Sequence, residues 1–242
     1  MKNSILLVVF LLAGIKGFSQ VKSGWRDGGE MIFSWGNINQ GNLDADNVPR
    51  FSLILNEQLQ YHVDYGQHTG FYTGLGIRNV GFIHKFGDTL KIKQRVYSIG
   101  VPFALKLGNM DKNVFFAVGA EMELFFHFKE KTFLHGEKMK TGEWFSDRTE
   151  LFHPSVFTEL DLGKGFYIRY RYYLTDFLKQ KSGSFPGGIH LPYNNSGTLM
   201  YISVGTMISK KKAREQLPVI RKASNTYASA YLPGSSSAKQ LK

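Results

Sequence analysis

The sequence contains no cysteine among its 242 residues. This absence excludes disulfide bridges, thiolate zinc sites and cysteine nucleophiles. No apolar run reaches the ~20 residues that a membrane-spanning helix needs. After residue 20, no helical spacing of apolar residues lasts beyond about two turns, whereas two-residue alternation recurs. The sequence therefore predicts an all-β fold.

Residues 1–20 have the pattern of a secretory leader. Lys2 precedes an apolar run, Ile5–Leu12, and Gly17-Phe18-Ser19 has the small-x-small form of a cleavage site. We therefore expect residues 1–19 to be a signal peptide and residues 20–209 to be the folded part. Because no cysteine follows the cleavage pattern, lipoprotein processing is excluded.

Negative charge is scarce, with 19 acidic against 30 basic residues and a formal net charge of +11. The excess lies at the two ends, because residues 210–242 carry a net +7 and the leader adds +2. The nearly neutral remainder argues against a nucleic-acid partner. Residues 210–242 are basic and polar, and we expect a disordered periplasmic tail; electrostatic contact with an acidic envelope partner is the alternative.

Alternation predicts eight strands, and the connections between them alternate broadly between longer and shorter. Transmembrane β-barrels have short periplasmic turns and longer outer loops, and an even strand number places both termini on the same side. We expect an eight-stranded antiparallel transmembrane β-barrel in the outer membrane of a Gram-negative bacterium, with both mature termini periplasmic. The predicted strands are Met31–Asn37, Arg50–Val63, Phe71–Lys85, Thr89–Leu107, Asn113–Lys129, Pro154–Leu162, Gly165–Thr175 and Thr198–Ile208.

The two faces of these strands differ sharply in polarity. In the fifth predicted strand, even positions from Val114 to Phe128 are apolar, whereas the odd positions include glutamates and, at the end, His127 and Lys129. A membrane barrel turns the apolar face to lipid and the charges to its lumen. A soluble, lipocalin-like binding barrel is the alternative. The predicted lumen charge network consists of Arg78, Lys106, Glu121, Glu123, Glu159, Asp161, Arg169 and Arg171.

A turn at "GKG", centred on Lys164, would set Glu159 opposite Arg169 and Asp161 opposite Tyr167. Two residues do not fit regular strands. Pro102 lies in the fourth predicted strand and cannot donate to a ladder, so we expect a bulge or a missing pair there. Glu57 falls on the apolar side of the second predicted strand, where we expect a bulge or a position near the rim.

The leader ending at Ser19-Gln20, the eight strands, and "RVYSIGVPFALKLG" followed by "FFAVGAEMELFF" resemble the PorT-like outer-membrane β-barrel proteins of the Bacteroidetes type. The likeness covers about residues 21–208. It implies an envelope protein with a structural or partner-binding role, including that of a secretion-machinery accessory. The chain departs from outer-membrane barrels generally because it runs on for more than thirty residues after the last predicted strand.

Few residues form patterns typical of catalysis. His153 and Ser155 lie two apart, which resembles the His-x-Ser arrangement of outer-membrane lipid A deacylases, so a lipid-modifying hydrolase is an alternative function. Their parity points into the lumen, and we expect a non-enzymatic protein. The histidines lack metal-ligand spacing, so we predict no metal and no cofactor. Expected partners are outer-membrane lipid and an envelope protein that contacts the outer loops, 129–153 and 176–197, or the tail.

Overall fold

The computed structural model describes residues 21–39, 46–179 and 196–209. The predicted signal peptide, the predicted tail and most of the loop 176–197 lie outside the described residues. None of the described residues forms a helix that is long and apolar enough to cross a membrane. The described strands are β1 (Val21–Asn39), β2 (Asp46–Val48), β3 (Arg50–Ser52), β4 (Glu57–Tyr65), β5 (Thr69–Phe86), β6 (Leu90–Asn109), β7 (Val114–Leu134), β8 (Glu137–Trp144), β9 (Phe152–Leu162), β10 (Phe166–Tyr173) and β11 (Ser196–Ser209).

Eight of these strands form a closed antiparallel wall. Its order is β11-β10-β9-β7-β6-β5-β4-β1, and β1 pairs back onto β11 from Arg26↔Ser209 to Asn39↔Ser196. The short strands add to this wall: β3 pairs with β1 above β4, β2 pairs with β5, and β8 pairs with β7. The eight-stranded antiparallel barrel is therefore confirmed.

Strands β5, β6 and β7 have 18, 20 and 21 residues. Crossing a bilayer takes only about 9–11 tilted residues. The upper parts of these strands, here defined as the parts farthest from Val21 and Ser209, therefore project beyond a membrane. There β7 and β8 form a hairpin closed at His135-Gly136, inside the stretch that the sequence predicted to be a loop.

The exterior of the barrel is apolar and its interior carries the charges. On β6, Ile99, Val101, Phe103, Leu105 and Leu107 are 36% to 64% exposed, whereas the intervening Lys106 is only 3% exposed. The same inversion holds on β9, β10 and β11. A surface of large, contiguous apolar side chains is suited to lipid and not to water. The fold is a transmembrane β-barrel, and this exterior argues against the lipocalin-like alternative.

The interior is layered from the short turns upward. An apolar cluster that includes Tyr72, Ala104, Phe115 and Phe157 lies near the short turns, at the same height as the buried Lys106, Asp64 and Asp161. Charged side chains follow, and a second apolar cluster with Phe82, Phe125, Phe177 and Leu199 lies above them. The order is visible within β7, where Phe115 and Ala117 precede Glu121 and Glu123, and Phe125 comes last.

Three sequence predictions about the strands need correction. The first strand begins at Val21 and not at Met31, because its glycine-rich first half pairs with β4. The second predicted strand is interrupted at residues 53–56, where Leu55 has a φ of 61°; β4 resumes at Glu57, so the predicted irregularity there is confirmed. An extra residue in β7 opposite Tyr97/Ser98 shifts the register, so His127 and Lys129 face outward and Phe128 faces inward, the reverse of the prediction.

Pro102 interrupts only one of its two ladders. The β6–β7 register runs regularly through Pro102↔Glu121, whereas the β5–β6 pairs skip from Thr73↔Phe103 to Gly76↔Gly100 without a shift. The hydroxyl of Thr73 donates to the Pro102 carbonyl at 2.8 Å. The prediction of a missing pair at Pro102 is confirmed. The prediction of a bulge is wrong, because the register on both sides of Pro102 is the same and the Thr73 hydroxyl bonds to the proline carbonyl.

Candidate functional site

The middle of the lumen is filled by a charged layer, which we define as Glu30, Arg78, Glu121, Glu123, Glu159, Arg169 and Arg171. Two-residue alternation turns each of these side chains inward from β1, β5, β7, β9 or β10. All seven are at most 5% exposed. Charges buried this deeply need partners, because each lost its hydration on folding.

Arg171 and Arg78 share the carboxylate of Glu121. Arg171 Nη2 pairs with Glu121 Oε2, and its Nη1 lies 2.7 Å from Glu123 Oε1. Arg78 Nη1 pairs with the other oxygen of Glu121, and its Nε lies 2.8 Å from Glu30 Oε1. These contacts join β1, β5, β7 and β10 across the lumen.

Arg169 extends the layer to β9. It pairs with Glu159 Oε2, lies 3.3 Å from Glu30 Oε2, and donates to Gln58 Oε1 at 3.0 Å. Hydroxyls supply the remaining donors: Ser203 donates to Glu30 at 2.7 Å, and Tyr173 donates to Glu123 at 2.9 Å. These hydroxyls help to satisfy four carboxylates that face only three guanidiniums.

Aromatic rings pack against the guanidiniums of this layer. The Arg171 guanidinium lies 4.8 Å from the centroid of Phe157 and 5.5 Å from that of Tyr201. The Arg169 guanidinium lies 5.0 Å from the centroid of Tyr167. Rings and ion pairs together fill the cross-section of the barrel at this height, as expected for eight strands.

An apolar plug lies above the charged layer. Phe177, in the segment after β10, is 1% exposed, and its ring centroid lies 4.8 Å from that of Phe82 and 5.8 Å from that of Phe125. Its backbone N–H donates to the carbonyl of Gly197 at 2.9 Å. The start of the outer loop 176–197 therefore folds back into the mouth of the barrel.

The eight predicted network residues fall into separate groups. Six of them lie in the charged layer, and the predicted pairs Glu159↔Arg169 and Asp161↔Tyr167 have that register in β9–β10. Lys106 is buried lower down, where it pairs with Asp64 and lies 3.1 Å from His62 Nδ1. Asp161 is buried near the short turn and accepts from the Gly163 N–H at 2.9 Å.

Sequence reasoning missed Glu30, which binds both Arg78 and Arg169. It was missed because the first strand was predicted to start one residue later. The sequence does contain a signal for it. Ile32, Ser34 and Gly36 occupy alternate, inward-facing positions, and the same alternation places Glu30, two residues before Ile32, on the inward face. Gln58, Tyr167, Tyr173 and Ser203 were also outside the predicted network.

In the described part of the chain, no hydrogen bond joins His153 to Ser155. The two ring nitrogens of His153 meet the Glu150 carbonyl and the Thr175 hydroxyl, both at 2.9 Å. Ser155 Oγ donates to the Glu121 carbonyl at 3.3 Å and accepts from Arg171 at 3.1 Å. An activated serine needs a base within hydrogen-bond reach, and this arrangement does not provide one. Within the described ranges, no group of three or more His, Asp or Glu residues could hold a metal ion.

No protein-family model and no curated protein matches the chain. Solved structures similar to it include Ail, the attachment invasion locus protein of Yersinia pestis, at 8% identity, covering 76% of this chain and 99% of Ail, with a TM-score of 0.36. Neisserial surface protein A is 11% identical, with coverages of 78% and 99% and a TM-score of 0.39. OprG, an outer-membrane protein of Pseudomonas aeruginosa, is 10% identical, with coverages of 77% and 95% and a TM-score of 0.32.

Proposed function

We propose that the protein is a non-conducting barrel of a Gram-negative outer membrane, with a structural or partner-binding role and no enzymatic activity. One observation carries this proposal: the charged layer and the apolar plug above it fill the lumen. A diffusion pore needs a continuous water-filled lumen, which much wider barrels have.

The placement in the membrane is supported by the exterior and the turns. Val21, Ser209 and the short connections 66–68, 110–113 and 163–165 lie at one end of the barrel. The connections from β1 to β4, from β7 to β9 and from β10 to β11 lie at the other end and are longer, although β5 and β6 are joined there by a three-residue turn, 87–89. Short turns are periplasmic in outer-membrane barrels. We therefore place both mature termini in the periplasm and the β7–β8 hairpin outside.

A partner-binding role is supported by the upper end of the barrel. Among the described strands, β8 pairs only with β7, so its other edge is open, and an open edge can pair with a strand of a partner. Trp144 and Phe145 at the end of β8 are 66% and 60% exposed. The resemblance to PorT-like proteins suggests a secretion-machinery accessory, which would use this hairpin, the other outer loops or the basic tail 210–242.

Planar-bilayer recording of the purified full chain tests the closed lumen. We expect no stepwise conductance, while a wide-pore porin in the same bilayers serves as the positive control. Steady conductance steps from the wild-type chain would refute the closed lumen.

Crosslinking in whole cells, followed by affinity capture, tests the partner. Replacing residues 137–144 by a short Gly-Ser turn, or ending the chain after Ser209, should remove crosslinked envelope proteins that the wild type retains. Heat-modifiable gel mobility of each variant checks that its barrel has folded. An unchanged crosslinked set in both variants would contradict the partner-binding role through the hairpin and the tail.

The hydrolase alternative is tested with Ser155→Ala. Because Ser155 lies in the lumen and no described histidine bonds to its hydroxyl, we expect the lipid A and phospholipid profiles of cells to stay unchanged. A change in either profile that depends on Ser155 would overturn the non-enzymatic role.

A further inference from the structure

The exterior of the upper sheet carries a dense group of cations, which we call the basic face. The register places Lys93, Lys131 and Lys140 directly beside one another across β6, β7 and β8. The row above contains Lys85, Lys91 and Lys138, and the row below contains Arg95 and Lys129. All eight side chains are exposed or half-buried.

The basic face has no acidic partners in the described part of the chain. None of its eight cations makes a salt bridge there. The acidic side chains of the β7–β8 hairpin lie on the opposite face of the sheet from these cations. Glu130 is buried inside the barrel, and Glu137 and Glu143 pair with Leu134 and Phe128, which share the inward-facing positions of β7 with Glu130. Among the described acids, Asp46, opposite Lys85, and Asp88 in the β5–β6 turn lie at its margins.

Neighbouring cations on this face repel one another. Partial burial, and then the neighbouring cations Arg95 and Lys138, lower the pKa of Lys131. Burial and then Lys91 and Lys138 lower the pKa of Lys93. Crowding like charges without compensation costs stability, so a bound anion would relieve it.

Two grooves in the basic face have room for small anionic groups. One, of about 250 Å³, is lined by Arg50, Lys93, Arg95, Lys129 and Lys131 among others. The other, of about 360 Å³, is lined by Lys85, Lys91, Lys93 and Phe133 together with the β5–β6 turn. Converging ammonium and guanidinium groups of this kind suit phosphate oxygens.

An aromatic group lies immediately below the basic face. The rings of His127 and Trp144 stack with centroids 4.4 Å apart. The Tyr97 ring lies 5.7 Å from that of His127, and the Phe126 ring lies 5.8 Å from that of Trp144. Such rings mark the interface between hydrocarbon and headgroups on membrane proteins. The basic face begins with Arg95 and Lys129, one outward position above Tyr97 and His127, so it lies at headgroup depth on the wall of the barrel.

We infer that the basic face binds the phosphate groups of an anionic lipid in the leaflet that surrounds it. This inference rests on the membrane placement proposed above. Lipid is the favoured source of phosphate because the cations line the barrel wall at headgroup depth, directly above the aromatic group. Juxtamembrane cations attract anionic lipid headgroups in this way.

The test uses the full chain in detergent, with phosphatidic acid as the phosphate-bearing probe and phosphatidylcholine as the zwitterionic comparison. Native mass spectrometry measures the affinity of each lipid. The variant carries Lys93→Gln, Lys131→Gln and Lys140→Gln; the matched control carries Lys22→Gln, Lys112→Gln and Lys164→Gln at the opposite end of the barrel. We expect the wild type and the control to prefer phosphatidic acid, and the variant to bind it about 100-fold more weakly, at about 1 kcal/mol for each lysine.

Equal affinity of wild type and variant for phosphatidic acid would overturn the inference. So would binding of heparin by the basic face without any preference for phosphatidic acid, because the partner would then be a soluble polyanion. Membrane insertion is measured separately from heat-modifiable mobility in vesicles. A chain that inserts but does not prefer phosphatidic acid refutes only this inference, whereas a chain that does not insert refutes the proposed location and the inference with it.

Discussion

Replacing Arg171 by methionine removes the cation that joins Glu121 to Glu123. The change deletes two charge-assisted hydrogen bonds and the bond to Ser155, all fully buried. It leaves four carboxylates with the two guanidiniums of Arg78 and Arg169. Removing one partner of a buried ion pair costs about 3–5 kcal/mol, because the other charge stays buried without compensation. We expect the free energy of unfolding to fall by that amount.

Urea unfolding in phospholipid vesicles, followed by tryptophan fluorescence and heat-modifiable gel mobility, measures this loss. The control is Lys112→Met, which also replaces a cation by methionine but at an exposed position outside the basic face, where the ammonium makes no salt bridge to a described residue. Substitutions at such positions shift stability by about 0.5 kcal/mol or less.

A second variant separates charge imbalance from lost packing. In the double variant Arg171→Met, Glu123→Gln, one unpaired carboxylate becomes a neutral amide, which Tyr173 can still bond. We expect the double variant to recover at least about 1 kcal/mol relative to Arg171→Met, since the two residues are in contact. A loss below about 1 kcal/mol for Arg171→Met, or no recovery in the double variant, would refute the view that ion pairing holds the charged layer together.

Two further predictions concern the barrel wall. Gly119→Ala should lower the free energy of unfolding by about 1–3 kcal/mol, because the added Cβ would lie 2.5 Å from the Phe103 carbonyl oxygen and 2.6 Å from the Phe157 ring; Gly24→Ala, with no atom within 4 Å of its Cβ, is the control in the same urea assay. Thr73→Val should cost about 1 kcal/mol more than Thr158→Val, because only Thr73 donates to the carbonyl of Pro102; equal effects of the two substitutions would argue that this hydroxyl does not stabilise the wall at Pro102.

Side-chain parity predicted most of the barrel wall. In β6 from Tyr97 to Leu107, and in β9 and β10, alternation predicted the correct face of each residue, because outward positions must be apolar in lipid and inward positions can hold charge. The tight turn at Lys164, which has a φ of 57°, leaves a single register for β9 and β10. The pairing of Glu159 with Arg169 could therefore be predicted before any contact was known.

The first half of β1 could not be predicted by the same reasoning. Its residues include Gly24, Gly28 and Gly29, which contribute no side chain to an alternating pattern. Gly28 is glycine for a reason that only the packing reveals, because a Cβ there would overlap the carbonyl of Thr206 on β11. The seam that closes the barrel therefore lies where the sequence pattern is weakest, and Glu30 was lost from the predicted network with it.

The extra residue in β7 links the charged layer to the basic face. Below it, the odd residues Glu121 and Glu123 point inward; above it, the odd residues Lys129 and Lys131 point outward, while Phe128 and Glu130 take the interior. A bulge of one residue reverses the face of every later position. Without the bulge, Lys129 and Lys131 would point into the upper lumen. The described cluster there, which includes Phe82, Phe125 and Phe177, is apolar and has no acid to pair with them. The reversal lets one strand supply acids to the lumen and cations to the exterior, and it occurs at the stacked rings of His127 and Trp144, the depth at which we propose that hydrocarbon gives way to headgroups.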